Sequence, residues 1–165
     1  MDYKPMRKAV LRCLAPLLLA AIASGAACVS VSGPSSGDTP AQVEQEIFKL
    51  VNDHRRSIGA AELTWNDTIA AQARLHSQSM AAGTVPFGHD GFDSRIAVIG
   101  QTIPWKSAAE VVALGATATD MVNAWIASAE HRPYIEGDYN LTGVGVAKDK
   151  SGTSFYATQI FIKPR

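Results

Sequence analysis

The spacing of apolar residues divides the chain after residue 39 into a helical first part and a β-rich last part. Thr39 followed by Pro40 is typical of a helix start, because a hydroxyl accepts from the first free N–H groups and proline fits the first turn. The helix that follows is predicted to end at Gly59. Its apolar residues recur every three or four positions, the period of one helix face: Val43, Ile47, Leu50, Val51 and Ile58.

A second helix is predicted between Asn66, as its cap, and Gly83, as its end. A short apolar connection, Leu63 to Trp65, joins it to the first helix. The residues on its helical apolar period are Ile69, Ala70, Ala73, Leu75 and Met80. The stretch 84–106 that follows is rich in glycine and proline, and we expect it to be irregular.

Two shorter helices are predicted next. One begins at Ser107 and contains Glu110, and the other opens at Thr119-Asp120. The second carries its apolar face at Met121, Val122, Trp125 and Ile126.

The last part of the chain has the alternation of strands. Thr142–Ala147 and Ser154–Lys163 are β-rich, and the polar turn 148–152 joins them. The second run is apolar on both faces, which is typical of a central strand covered by helices on each side. We therefore predict an α+β fold, a three-layer α-β-α sandwich with a central, mainly antiparallel sheet.

The N-terminus has the parts of an export signal: a basic start, an apolar run from Leu14 to Ile22 and small residues after it. The apolar run is shorter than the roughly 20 residues that a membrane-spanning helix needs. We predict a signal peptide of lipoprotein type over 1–28, a flexible linker over 29–39 and one domain over 40–165. The linker prediction rests on the small-residue segment 32–38.

Cys28 is the candidate lipidation site. It follows Gly25-Ala26-Ala27, which resembles a lipobox, and it would be the one cysteine left after cleavage, because Cys13 is lost with the signal. Dual acylation there would hold the domain firmly on a membrane. Ordinary cleavage at a small-x-small site is the alternative, since Gly25 stands where a lipobox has a branched apolar residue. The mature chain would then carry no lipid anchor.

Charge excludes one class of partner. The whole chain has 15 basic and 15 acidic residues, but four of the basic residues and one acidic residue precede Cys28, so the remainder carries a net charge of −3. It has no basic cluster, and phosphate contacts depend on clustered Lys and Arg. We expect no nucleic-acid partner.

Histidines carry most of the candidate chemistry. His54 and His76 lie within the apolar periods of the helices, and we expect both to have structural roles. His89 lies between two glycines in Phe87-Gly88-His89-Asp90-Gly91, a setting in which loops expose side chains to a cleft. His131 follows a predicted helix end, and Glu110 among small apolar neighbours needs a partner if it is buried.

The order of several short motifs resembles the CAP superfamily, which comprises cysteine-rich secretory proteins, antigen 5 and plant pathogenesis-related proteins. The similarity covers 43–162 and is greatest to the disulfide-free bacterial branch of SCP-domain proteins. The motifs that carry it include Asn52-Asp53-His54-Arg55, Phe87-Gly88-His89, Ala109-Glu110-Val111-Val112, Trp125 to Arg132, Gly143-Val144-Gly145-Val146 and Tyr156 to Phe161.

The resemblance implies an α-β-α sandwich with an open cleft lined by two histidines and two acidic residues. By position, these are His89, His131 and, as the first acid, Glu110. The second acid is open, because Ser128 stands where animal and plant members have it. Glu130 is nearby but adjacent to His131, and neighbouring side chains on a helix diverge by about 100°.

Three functions fit this set. His89 and His131 can bind zinc or another divalent cation beside Glu110, as some relatives do. The same residues can instead form a hydrogen-bonded network that shapes a cleft for a lipid, glycan or peptide. A metal-assisted hydrolase, protease-like or acting on the cell wall, would draw on Ser128 and Glu130 as well, although the chain has no His-Glu-x-x-His or Gly-x-Ser-x-Gly motif.

A purely structural envelope domain is the remaining interpretation. Of these, we expect a ligand-binding module without catalysis. We place it in a bacterial cell envelope, as a periplasmic or outer-membrane lipoprotein bound to the membrane through Cys28, or as a secreted protein if Cys28 is not lipidated.

Overall fold

The computed structural model describes residues 37–165, so the predicted signal, Cys28 and most of the linker lie outside the described residues. Five helices and four strands make up this part of the chain. In chain order they are α1 (Pro40–Ser57), β1 (Thr64–Trp65), α2 (Asp67–Ala82), α3 (Phe92–Gly100), β2 (Trp105–Gly115), α4 (Ala118–Ala127), α5 (Arg132–Glu136), β3 (Leu141–Lys148) and β4 (Phe155–Pro164).

Local capping explains where the two long helices begin and end. The Thr39 hydroxyl accepts from the Gln42 N–H, and the Gln42 side chain accepts from the Thr39 N–H, a complete capping box. The Asn66 side chain accepts from the Ile69 N–H at the start of α2, and Gly83 ends that helix with φ of 74°. Both helix predictions are confirmed.

The four strands form one sheet in the order β1-β3-β4-β2. β4 lies between β3 and β2 and is antiparallel to both, while the short β1 pairs parallel with β3. The sheet is therefore mainly antiparallel, as predicted, with β2 at one edge.

Apolar side chains of β4 alternate between two cores on opposite faces of the sheet. Ala157 and Phe161 belong to the larger core, which α1 and α4 cover with residues such as Ile47 and Trp125. Ile160 and Ile162 belong to the smaller one, which α2 and α3 cover. The two-sided apolar pattern of β4 thus has the cause predicted from the sequence, and the three-layer α-β-α arrangement is confirmed.

Two glycines in β3 let α2 lie directly on the sheet. A Cβ on Gly143 would overlap the backbone of Ala70, and one on Gly145 would overlap the backbone of Arg74. No side chain larger than hydrogen fits at either position without moving the helix.

The predicted helix at Ser107 is wrong, because this segment is the middle of β2. Ala108 pairs with Ile162, and Glu110 pairs with Ile160, in an antiparallel ladder with β4. The alanines favour a helix locally, but the neighbouring strand supplies hydrogen bonds along the whole segment, and tertiary pairing overrides propensity. The predicted irregular stretch also differs, since it contains α3.

The guanidinium of Arg55 ties α1 to the segment that carries α5. It is 1% exposed. It donates to the backbone carbonyls of Ala61, Ile135, Gly137 and Tyr139 at 2.7, 2.7, 2.9 and 3.4 Å. Burial lowers the pKa of this group from its ordinary value, because the charged form loses hydration. The position of α5 beside the sheet therefore depends on an arginine in the last turn of α1.

Arg55→Lys should destabilise the fold by about 2–3 kcal/mol, because one ammonium cannot serve all of these buried carbonyls. Arg56→Lys is the matched control, since its exposed side chain bonds only Asp53 and Glu62, and it should change the free energy of unfolding by less than about 0.5 kcal/mol. Urea unfolding of both variants measures the difference. Equal effects would contradict a structural role for Arg55.

Candidate functional site

Glu110 is the buried centre of the candidate site. Its side chain is 1% exposed and lies on β2. Arg95, from α3, grips it with two nitrogens: Nε donates to Oε2 at 2.9 Å, and Nη2 donates to Oε1 at 2.7 Å. His89 Nδ1 lies 3.0 Å from the same Oε1. The carboxylate is thus fully paired, as a buried charge must be.

The pairing decides the tautomer of His89. An ionised carboxylate that already accepts from a guanidinium offers only acceptor oxygens, so His89 Nδ1 carries the proton and donates it. The second ring nitrogen, Nε2, has no hydrogen bond within residues 37–165, and the His89 side chain is 49% exposed. In its neutral form His89 therefore presents a free acceptor, and in its charged form a free donor, to the solvent side.

The loop that carries His89 is held from both ends. His76, buried on α2, donates from Nε2 to the carbonyl of Gly88 at 2.7 Å. Arg95 Nη1 donates to the carbonyl of Asp90 at 2.8 Å, so the residue that pairs with Glu110 also fixes the loop. Gly91, with φ of 78°, supplies the left-handed conformation that leads into α3. His76 is structural, as expected.

A cleft of about 220 Å³ opens above Glu110. Its lining residues come from the loop and α3 on one side, from β2 at the base, and from α5 on the other side. They are His89, Phe92, Ala108, Ala109, Glu110 and Tyr134. We call this space the cleft.

An apolar slot of about 250 Å³ adjoins the cleft and shares Phe92 and Ala108 with it. Its other lining residues are Asp93, Ile96, Ala97 and Trp105. The cleft combines the polar groups of His89, Glu110 and Tyr134 with apolar side chains, the slot is more apolar, and β2 contributes residues to both.

The structure brings together only part of the predicted site. His89 and Glu110 are in contact, whereas His131, Ser128 and Glu130 are not among the residues that line the cleft. The Ser128 hydroxyl accepts from the backbone N–H groups of Glu130 at 3.2 Å and His131 at 3.3 Å, a turn that leads into α5. The site roles predicted for these three residues stay predictions.

Arg95 and Tyr134 are the site residues that the sequence analysis missed. Arg95 is separated from Glu110 by 15 positions and by a change from helix to strand, so no local spacing links them. Tyr134 lies on α5, three residues after His131, and this closeness in sequence to a candidate site residue is the signal that could have pointed to it.

The described residues do not form a ready-made cluster of metal ligands. Within residues 37–165 no three His, Cys, Asp or Glu side chains are grouped to hold a metal. The carboxylate that would neutralise a metal ion already neutralises Arg95, and a second cation beside that guanidinium would be repelled. The prediction of a divalent metal at His89 and His131 gains no support from this geometry.

Replacing Arg95 by Met should cost about 3–5 kcal/mol of stability, because it leaves a buried carboxylate without its main partner. Adding Glu110→Gln should recover a large part of the loss, since the neutral amide tolerates burial better. A double-mutant cycle by urea unfolding measures the coupling. Additive effects of the two substitutions would show that the pair is not coupled.

The comparisons with known proteins agree with this fold. The family model of the cysteine-rich secretory protein family, CAP, matches residues 48–161. No curated protein matches the chain significantly. Within residues 37–165 no helix has the length and apolar character of a membrane span.

Solved bacterial structures share the architecture. An outer surface protein from Borrelia burgdorferi has a TM-score of 0.66 and 18% identity, over 78% of this chain and 97% of its own. An extracellular SCP-domain protein from Bacillus anthracis has a TM-score of 0.64 and 25% identity, over 78% of this chain and 45% of its own. A cysteine-rich secretory protein from Staphylococcus aureus has a TM-score of 0.62 and 20% identity, over 76% of this chain and 40% of its own.

The chain thus spans less than half the length of the Bacillus and Staphylococcus proteins and nearly all of the Borrelia protein. The structural neighbours under 25% identical show a shared fold and no more. The family model covers well over half of the chain, in the segment that carries both cores and the cleft. This chain belongs to the cysteine-rich secretory protein (CAP) family.

Proposed function

We propose that this chain is an exported binding module, anchored to a membrane by lipid at Cys28, whose cleft binds an organic ligand without turning it over. The observation that carries the proposal is the state of Glu110. Arg95 and His89 donate three hydrogen bonds to its two oxygens, and the side chain is only 1% exposed, so a substrate proton has little access to it. A carboxylate held in this way shapes a cleft rather than acting as a base.

The candidate nucleophile is also engaged. Ser128 accepts two backbone N–H groups as a turn cap, and within residues 37–165 its hydroxyl has no histidine recorded as a hydrogen-bond partner. An activated serine needs an adjacent base. Neither the candidate nucleophile, Ser128, nor the candidate base, Glu110, is therefore placed for hydrolysis. Binding of a lipid, glycan or peptide requires only the half-exposed His89, Tyr134 and the apolar slot.

Export and anchoring rest on the N-terminal sequence and on the neighbours. The basic start, short apolar run and Gly25-Ala26-Ala27-Cys28 support a cleaved, lipidated signal. The Bacillus neighbour is an extracellular protein, and the Borrelia neighbour is an outer surface protein. Mass spectrometry of the mature N-terminus should find a diacylated Cys28, and a free terminus would refute the anchor.

His89→Ala should weaken binding at the cleft at least tenfold, because it removes the exposed polar group at the rim. His54→Ala is the matched control, since His54 also pairs with a carboxylate, Glu136 at 2.9 Å, but does not line the cleft. NMR titration of the purified chain with defined lipid, oligosaccharide and peptide libraries measures both. A ligand that binds both variants equally would contradict the proposal.

Zinc and turnover separate the alternatives. Zinc binding that disappears in the His89→Ala, His131→Ala double variant would favour the metal site, and unchanged affinity would remove it. Turnover of a peptide, ester or peptidoglycan substrate that collapses in Glu110→Gln would overturn a module without catalysis.

A further inference from the structure

The outer edge of β2, at the base of the cleft, pairs with no other strand of residues 37–165. β2 is the edge strand of the sheet, and its register with β4 runs without irregularity from Ser107 to Gly115. Along a strand, the backbone groups of alternate residues point to opposite sides. Half of the residues of β2 must therefore direct their N–H and C=O groups away from β4.

Two hydrogen bonds show which half points outward. The carbonyl of Val112 accepts from the Trp125 indole at 2.9 Å, so Val112 faces away from β4, and Ala108 and Glu110 share its parity. On the other strand, the carbonyl of Ile162 accepts from the Asn140 N–H on the β3 side at 3.1 Å. Ile162 is the partner of Ala108, which is thus a pair without hydrogen bonds between the strands.

The outward groups of Ala108 and Glu110 have no partner within residues 37–165. Beyond the ladder with β4, the hydrogen bonds of the β2 backbone are those of Val112 to Trp125 and of Trp105 to Arg165. Glu110 is 6% exposed as a residue but its side chain is only 1% exposed, so its exposure is mainly on the backbone. Unpaired groups of this kind are the template for another strand.

The cleft lies along this same edge. Ala108, Ala109 and Glu110 all line it, although consecutive side chains of a strand point to opposite faces. A cavity that touches all three must lie against the edge of the strand. Phe92 bounds it from α3 and Tyr134 bounds it from α5. The space is therefore a channel between the two helical layers, and the backbone at the outer edge of β2 forms its base.

We propose that the cleft takes an extended peptide, which adds to β2 as a further strand at Ala108–Glu110. This rests on the proposed binding function and names its ligand class. Lipids and glycans lack the regular alternation of donors and acceptors that the edge offers, whereas a peptide backbone matches it. One apolar side chain of the peptide enters the slot beside Phe92, Ile96 and Trp105.

Charge at the slot adds a second element of selectivity. Asp93 lines the slot, is exposed, and forms no ion pair with any of the described residues. Arg95 is close in sequence, but its charge is neutralised by Glu110. A peptide with Lys or Arg next to its apolar residue therefore complements this surface. Asp93→Asn should lower the affinity for such a peptide, mainly at low salt.

Ala108→Pro tests the strand addition. Proline removes an outward N–H and places its ring in the path of the peptide, while the ladder with β4 does not use that N–H. Leu114→Pro is the matched control, because Leu114 has the same outward parity but lies outside the cleft. Both variants should keep the thermal unfolding midpoint close to that of the unmodified chain.

The probe is a peptide selected on the unmodified chain from a random display library and measured by calorimetry. We expect Ala108→Pro to lower its affinity at least tenfold and Leu114→Pro to leave it unchanged. Equal affinity for all three proteins would overturn the proposal. Failure to select any peptide would also overturn it.

Amide exchange supplies a readout that does not depend on a substitution. On peptide binding, the N–H groups of Ala108 and Glu110 should exchange at least tenfold more slowly, while those of Ala109 and Val111 are already protected by β4. Binding without this slowing would refute strand addition. A lipid or glycan that binds with dependence on His89 would leave the binding function standing while this ligand class fails; no ligand at all would refute both.

Discussion

The buried carboxylate of Glu110 is the constraint on which the candidate site depends. An unpaired carboxylate in this position would cost several kcal/mol, so its partners must be present and well placed. Arg95 meets the need with a bidentate grip and also holds the loop of His89 through the carbonyl of Asp90. One ion pair thereby joins a loop, a helix and an edge strand into a single rigid wall.

This joined wall is the basis of the proposal that the cleft binds a ligand without turning it over. The hydrogen bonds that stabilise Glu110 also occupy it, and the exposed polar group that remains is the imidazole of His89. On the opposite side, Arg55 holds the segment that carries α5, and α5 brings Tyr134 to the cleft. Between these two sides runs β2, the edge strand of the sheet, with no other strand of residues 37–165 paired to its outer edge.

The family relation concerns the fold first and function second. Bacterial neighbours with the same architecture share a quarter of their residues or fewer with this chain, and one fold can host unrelated activities. The particular residues of this cleft therefore carry the functional argument. Ser128 caps a turn and Arg95 pairs with Glu110, and these two contacts support the proposed binding role over the hydrolase and metal alternatives.

Local patterns were enough to determine α1, α2 and the two long C-terminal strands, because caps, apolar periods and turn residues act within a few positions. The sequence also predicts the export signal and the linker, and the similarity of its motifs pointed to His89 and Glu110. Only the tertiary structure decided that Ser107 begins no helix, since the hydrogen bonds of β4 outweigh the preference of its alanines. Packing likewise determined the roles of Arg95 and Tyr134 in the site. Arg95 reaches Glu110 from α3 and Tyr134 reaches the cleft from α5, and no spacing along the chain indicates which distant elements meet at one edge of a sheet.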